Sequence, residues 1–343
     1  MAEVASRTPL LITLAIVCAG LSFLANTVLM PAYRRYALAR PNARSSHTIP
    51  TPQGGGAGVL IGMLAGLLCV AGVWPGSQMA SWTFGALASS AGLLAITGAL
   101  DDIFDLPVSP RLLAQFAAAA LGLVWVLSAT NWLSVGPASW VAVPVLLLGL
   151  VGFVNFSNFM DGIDGMTVAE FTPICGTLAL LSMSGALPLG DGLVAAALLG
   201  ALAGFAPYNL PVARLFLGDA GSLSIGLIAG CLLLRLAISG QPVSALILPL
   251  YYLADATITL VRRLVRGENV TQAHRTHFYQ LAVDQGWTVP AILRTIWLLN
   301  SVLVLLSLVS VWLARWDVRL TLPAIAMGLV ALTLRALSRP PVS

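Results

Sequence analysis

Long apolar runs dominate the chain, each broken off by a short cluster of polar residues. A helix needs roughly 20 apolar residues to cross the hydrocarbon core of a bilayer. Windows of that kind fall at residues 9–31, 55–73, 82–100, 111–128, 139–157, 166–184, 191–209, 220–238, 244–262, 290–313 and 319–337. They predict about eleven membrane-spanning helices. Gly and Pro recur inside the windows, as membrane helices tolerate. The pattern therefore predicts an all-α, polytopic integral membrane protein, with residues 1–343 forming one transmembrane domain and no separate soluble domain. The connections at 74–81 and 130–139 are short and nearly uncharged, and the longest spans 263–290. The first window has a weak basic flank and no clean small-residue cleavage site, so it reads as an uncleaved first helix. No internal repeat is visible, which removes the repeat signature of many transporters.

Composition strengthens this picture. Hydrophobic residues make up 58% and charged residues 9%, far outside the range of a soluble domain. All 17 basic residues are Arg. Arg34, Arg35, Arg40, Arg44, Arg111, Arg214, Arg262, Arg263, Arg266, Arg275, Arg335 and Arg339 fall on one side of the predicted spans, against Arg7, Arg235, Arg315 and Arg319 on the other. The positive-inside rule makes the first side cytoplasmic, with the N-terminus outside and the C-terminus inside. That basic face suits contact with anionic lipid headgroups. Cys18, Cys69, Cys175 and Cys231 all lie in apolar windows without CxxC spacing, which suggests neither a disulfide framework nor a zinc site. Nothing in the charge pattern points to nucleic acid.

The carboxylates are few and grouped. Of 13 acids, six occur in three knots, all on the predicted cytoplasmic side. The densest polar stretch is Asn155-x-x-Asn158-x-x-Asp161-Gly-Ile-Asp164-Gly, set directly against an apolar run. Helical steps of three drift by about 60° each, so the ladder keeps to half the circumference. Gly162 and Gly165 would break the helix and admit a ligand to the backbone. Acids at a membrane span are costly and usually mark a cation or substrate site. Asp101-Asp102-x-x-Asp105 ends the third window. Asp101 and Asp105 would share a helix face, and carboxylates are disfavoured at a helix C-terminus unless a cation offsets them. The third knot, Gly218-Asp219-Ala220-Gly221-Ser222, opens the eighth window and reads either as an N-cap or as a metal ligand.

Two loops carry phosphate-compatible groups. His47 precedes Gly54-Gly55-Gly56, whose N–H groups at a helix start could approach a phosphate; the same glycines also fit a plain loop-to-helix turn. His274-Arg275-Thr276-His277 offers two imidazoles and a bidentate guanidinium. Asp255, inside the ninth window, reads equally as a functional acid or as a buried pair with Arg262.

These motifs, in this order and on one side, resemble the polyprenyl-phosphate N-acetylhexosamine-1-phosphate transferase superfamily, and the likeness runs over nearly the whole chain. The resemblance implies transfer of a sugar 1-phosphate from a UDP-sugar to polyprenyl (undecaprenyl) phosphate with release of UMP, dependent on Mg²⁺ (Mn²⁺ as the alternative ion). It implies Asp219 as principal metal ligand and Asp101 and Asp102 at the reacting phosphates, with Asp102 also on the metal. Asn158, Asp161 and Asp164 would hold the nucleotide-sugar and metal, with Asn155 in substrate binding. His274, His277 and Arg275 would contact the diphosphate or sugar, with His47, Gly54 and Gly55 in substrate binding. The spaced His274 and His277, in place of three consecutive His, and His47, in place of a Lys, look more like the O-antigen-initiating branch than the phospho-muramoyl-pentapeptide branch. A homodimer is compatible with this reading. The competing class, a transporter or lipid flippase, predicts ionisable groups near the membrane midplane.

Overall fold

The computed structural model describes residues 2–39, 50–73, 81–129, 137–269, 274–313 and 316–341. The chain runs through α1 (Ala2–Tyr36), β1 (Leu38–Ala39), β2 (Thr51–Pro52), α2 (Gly55–Val73), α3 (Trp82–Phe104), α4 (Val108–Leu127) and α5 (Pro137–Met160). It continues with α6 (Met166–Met183), α7 (Leu189–Asn209), α8 (Asp219–Ile238), α9 (Pro242–Ile247), α10 (Leu250–Val265), α11 (Phe278–Asp284), α12 (Val289–Leu313) and α13 (Trp316–Leu337). Strands β1 and β2 form a small antiparallel pair that pairs Leu38 with Pro52 and Ala39 with Thr51.

Among the described residues, ten helices are long and apolar enough to cross a membrane. Ten of the eleven predicted windows coincide with them. The ninth window differs: it is divided into α9 and α10 at Leu248–Pro249. Proline lacks an N–H and its ring clashes with the preceding turn, so one continuous helix is excluded there. The two pieces still join the two ends of the bundle. Ser244 of α9 hydrogen-bonds Ser307, near the end of α12. At the other extreme of α10, Arg262 stacks over the Phe278 ring at the start of α11.

Helices α6, α7 and α8 are buried over most of their length and form the centre. Close approach there rests on small residues, as is usual where lipid offers no hydrophobic contrast. A Cβ added at Gly200 or Gly204 of α7 would lie 2.0 or 2.1 Å from the Ala15 or Ala19 carbonyl oxygen of α1. One end of the bundle is tied by Arg7, which donates to the Ser182 carbonyl at 3.3 Å, and by a buried Asp191–Arg235 pair at 2.7 Å. All three acidic knots and the His loop lie at the opposite end.

Candidate active site

Helix α3 delivers the first two acids. Its C-cap, Asp105, takes a left-handed conformation (φ 48°) and returns its N–H to the Asp101 carbonyl. The Asp101 side chain is buried, accepts the Leu106 N–H at 2.8 Å and pairs with Arg111 of α4 at 2.5 Å. Asp102 points at the first turn of α8. Both its oxygens accept the Asp219 N–H, at 3.2 and 3.1 Å. An acid placed against a helix N-terminus meets unsatisfied N–H groups and the positive end of the dipole. Asp102 therefore caps α8 from another helix, and the Asp219 side chain is left for other work.

Asp219 Oδ1 accepts Asn158 Nδ2 at 2.9 Å, and the same amide donates to Ser222 Oγ at 2.9 Å. The ladder on α5 thus meets the third knot directly. Asn155, one turn earlier, donates to Gln115 Oε1 of α4 at 2.7 Å. Asp101, Arg111, Gln115, Asn155, Asn158 and Asp219 line one small cavity between α3, α4, α5 and α8. Asp161 accepts the Thr167 hydroxyl at 2.5 Å. Burial pushes the Asp161 carboxyl up to about 7; the Thr167 bond opposes this, and the Asp102 and Asp164 charges add to it. Asp164 accepts the Ala213 N–H at 2.8 Å and so fastens the loop between α7 and α8.

Of the two readings of the glycines at the start of α2, the hydrogen bonds fit the loop-to-helix turn. The N–H groups of Gly54 and Gly55 donate to the Phe216 carbonyl at 3.2 and 3.0 Å, and that of Gly56 to the Leu217 carbonyl at 2.9 Å. Their donors are spent on the strand-like segment before α8. What the glycines provide is proximity: a Cβ on Gly56 would lie 2.1 Å from the Gly221 Cα. His47 lies outside the described residues.

The His loop closes over the ladder. Tyr279 of α11 donates to the Phe159 carbonyl at 3.0 Å, and only a glycine at 162 leaves room, since a Cβ there would meet the Tyr279 hydroxyl at 2.1 Å. His274 and His277 stack at 4.9 Å, and each approaches the Phe159 ring, at 6.5 and 6.3 Å. Burial, with His277 and Arg263 adding, pushes His274 down to about 4, so it is a neutral imidazole at neutral pH. Arg275 pairs with Asp284 at 3.0 Å.

Two partnerships were not legible in the sequence. Arg111, counted there only for sidedness, is the ion-pair partner of Asp101; its signal is a lone cation one turn into the helix that follows the acidic pair. Asp255 does not pair with Arg262. Its carboxylate takes His277 at 3.0 Å, while Arg262 lies over Phe278 at 4.5 Å.

The donor set suits Mg²⁺. Asp101 and Asp102 both sit against Asp219, an arrangement of like charges that a hard cation relieves. Mg²⁺ needs only one or two carboxylates, because waters and substrate phosphates complete its octahedron. Among the described residues, no group of three or more His, Cys, Asp or Glu side chains is placed to hold a metal ion by itself.

Residues 83–237, which hold all three acidic knots, match the profile of glycosyl transferase family 4. The chain is 25% identical over 311 residues to a probable undecaprenyl-phosphate N-acetylglucosaminyl 1-phosphate transferase of Bacillus subtilis, with 85% of each chain covered. It is 25% identical over 292 residues to a decaprenyl-phosphate N-acetylglucosaminephosphotransferase of Mycolicibacterium smegmatis, covering 74% of this chain and 70% of the relative. A phospho-N-acetylmuramoyl-pentapeptide-transferase of the same organism is 32% identical, but over 120 residues, 34% of this chain and 32% of the relative. The segment that holds all three acidic knots is thus similar to glycosyl transferase family 4, and most of the chain is similar to polyprenyl-phosphate N-acetylglucosamine-1-phosphate transferases.

Proposed function

We propose that the protein transfers N-acetylhexosamine 1-phosphate from a UDP-sugar to a polyprenyl phosphate at the cytoplasmic face of a bacterial inner membrane. The observation that carries this reading is the junction of Asp102, Asp219 and Asn158, where three helices bring two carboxylates and an amide to one point. The names of the two long-matching relatives support N-acetylglucosamine as the first sugar to test. The product would be the first lipid-linked intermediate of O-antigen or another surface glycan. Sidedness rests on the Arg distribution: Arg111, Arg214, Arg263 and Arg275 accompany the site, while Arg7 and Arg235 hold the far end.

In the reaction, an oxygen of the lipid phosphate forms a bond to the β-phosphorus of the UDP-sugar. The bond from that phosphorus to the bridging oxygen breaks, and the bridging oxygen leaves on UMP. A phosphate monoester has a second pKa of about 6, so at neutral pH the nucleophile is already largely dianionic and needs no strong base. The chain's task is placement and charge. Asp219 and Asp102 would hold Mg²⁺, which when bound neutralises the phosphoryl oxygens. Asn158 orients the Asp219 carboxylate. Arg111 pairs with Asp101 and lines the same cavity, where its guanidinium would meet an anionic headgroup. The neutral His274 and its stacked neighbour His277 border the sugar-phosphate side. The lipid tail would follow α4 and α5 away from the site, toward an apolar recess of ≈ 480 Å³ bordered by Leu123, Leu127, Val143 and Leu147.

The test is release of UMP by purified protein from UDP-N-acetylglucosamine, Mg²⁺ and undecaprenyl phosphate, followed by a screen of other UDP-N-acetylhexosamines. Lack of UMP release with every donor, in protein shown to be folded, would defeat the reading.

A further inference from the structure

Asp255 is completely buried on α10. Its Oδ1 collects two donors from one short stretch of chain: His277 Nδ1 at 3.0 Å and the Phe278 N–H at 3.2 Å. Thr259, one turn along α10, adds its hydroxyl at 3.3 Å. His277 is itself only 1% exposed, and its ring is clamped between His274 at 4.9 Å and Tyr279 at 5.9 Å. The remaining ring nitrogen, Nε2, is buried and has no protein partner.

Oδ1 already accepts the Phe278 N–H, so it is an acceptor toward the ring as well and Nδ1 carries the proton of that bond. Nε2 is then the one nitrogen of His277 open to a ligand. Leaving such an atom buried and unpartnered costs about 1–3 kcal/mol and calls for an explanation, as does Asp255 Oδ2, which is likewise buried without a partner. The Phe159 ring borders His277 and follows Asn158, which is bonded to Asp219. The orphan nitrogen therefore belongs to a ring packed against the site and is not a remote packing defect. A carboxylate that fixes one nitrogen of a histidine while the other meets a ligand is a recurrent way to set tautomer and ring plane.

We propose that Asp255 is a positioning residue for sugar-phosphate transfer: it holds the Nδ1 proton and the ring plane of His277, so that Nε2 alone meets the donor substrate. The proposal rests on the transferase reading above. It also explains why an acid is completely buried on α10. Pro249 caps the start of α10, whose buried residues include Asp255 and Thr259, and Asp255 there meets the His loop.

The test uses the full-length protein in lipid nanodiscs and has two independent arms. The first is a double-mutant cycle of Asp255→Asn, His277→Gln and the pair, with UMP release measured against donor concentration. Asp255→Asn keeps the shape and removes the charge. It should lower kcat by roughly 10- to 100-fold, as expected for loss of a carboxylate that orients a functional histidine. KM for the donor should stay within about threefold, since the change falls on kcat and not on ground-state binding. In the His277→Gln background the same substitution should cost nothing further. Losses that multiply would mean that Asp255 acts as a structural acid and not through His277. The second arm is nitrogen NMR of ¹⁵N-histidine-labelled protein, in which only three histidines contribute. His277 should show a protonated Nδ1 in the parent protein, with the proton shifting toward Nε2 in Asp255→Asn. An unchanged His277 spectrum in the variant would overturn the proposal. The second arm needs no turnover, so failure of the transferase reading and failure of the dyad give different results.

Discussion

Gly218→Ala tests the junction between α3 and α8 with the smallest available change. Gly218 has φ 75° and ψ 169°, a region open in practice only to glycine. Forcing alanine there costs about 1–3 kcal/mol in backbone strain. The new methyl would also lie 2.5 Å from Asp102 Oδ2 and 3.2 Å from the Gly54 nitrogen. The Gly54 segment is held by hydrogen bonds to Phe216, so the carboxylate is the group that must move. Moving it breaks the charge-assisted bonds from the Asp219 N–H, worth about 1.5–3 kcal/mol. If that loss is felt in the transition state, turnover falls roughly 10- to 150-fold at 1.36 kcal/mol per decade. Gly240→Ala supplies the control. Gly240 also has a positive φ, 88°, but nothing lies within 4 Å of its added methyl. It should lose about 1–2 kcal/mol of stability from strain and little activity. Thermal unfolding and UMP release are measured on both variants. Gly218→Ala within threefold of parental turnover, or Gly240→Ala as inactive as Gly218→Ala, would refute the claim that the Asp102–Asp219 contact organises the site.

The remaining predictions are shorter. Asp219→Asn should abolish transfer while thermal unfolding stays close to the parent; near-normal turnover at limiting Mg²⁺ would remove Asp219 from the metal. Asn158→Ala deletes donors to both Asp219 and Ser222, so turnover should fall roughly tenfold or more per lost charge-assisted bond, and full activity would show that Asp219 needs no orientation. Direct attack requires that enzyme with UDP-sugar alone release no UMP; a stoichiometric burst before lipid is added, absent in Asp101→Asn, would establish a covalent aspartyl intermediate instead. A C-terminal reporter active only in the periplasm should stay silent, and strong activity would reverse the assigned sidedness.

The class of fold, and the grouping of the acids at one end of the bundle, were legible in the chain alone. Helix formation and membrane crossing depend on local apolar runs, and sidedness on Arg counts, so both can be read without knowing what any helix touches. The same holds for the three acidic knots, because an acid beside an apolar run is costly wherever the helix is packed. Tertiary structure alone decided who pairs with whom. Asp255 has Arg262 seven residues away, yet binds His277, because the side of α10 it occupies faces the His loop while Arg262 turns to Phe278. Gly54 and Gly55 look like a phosphate cradle until Phe216 arrives from more than 100 residues on and takes their N–H groups. Asp102 became a cap for α8, and Arg111 the partner of Asp101, only once those helices stood side by side. Such contacts depend on the rotation and crossing of helices set by packing at positions such as Gly56 and Gly221, and no periodicity within a single helix encodes them.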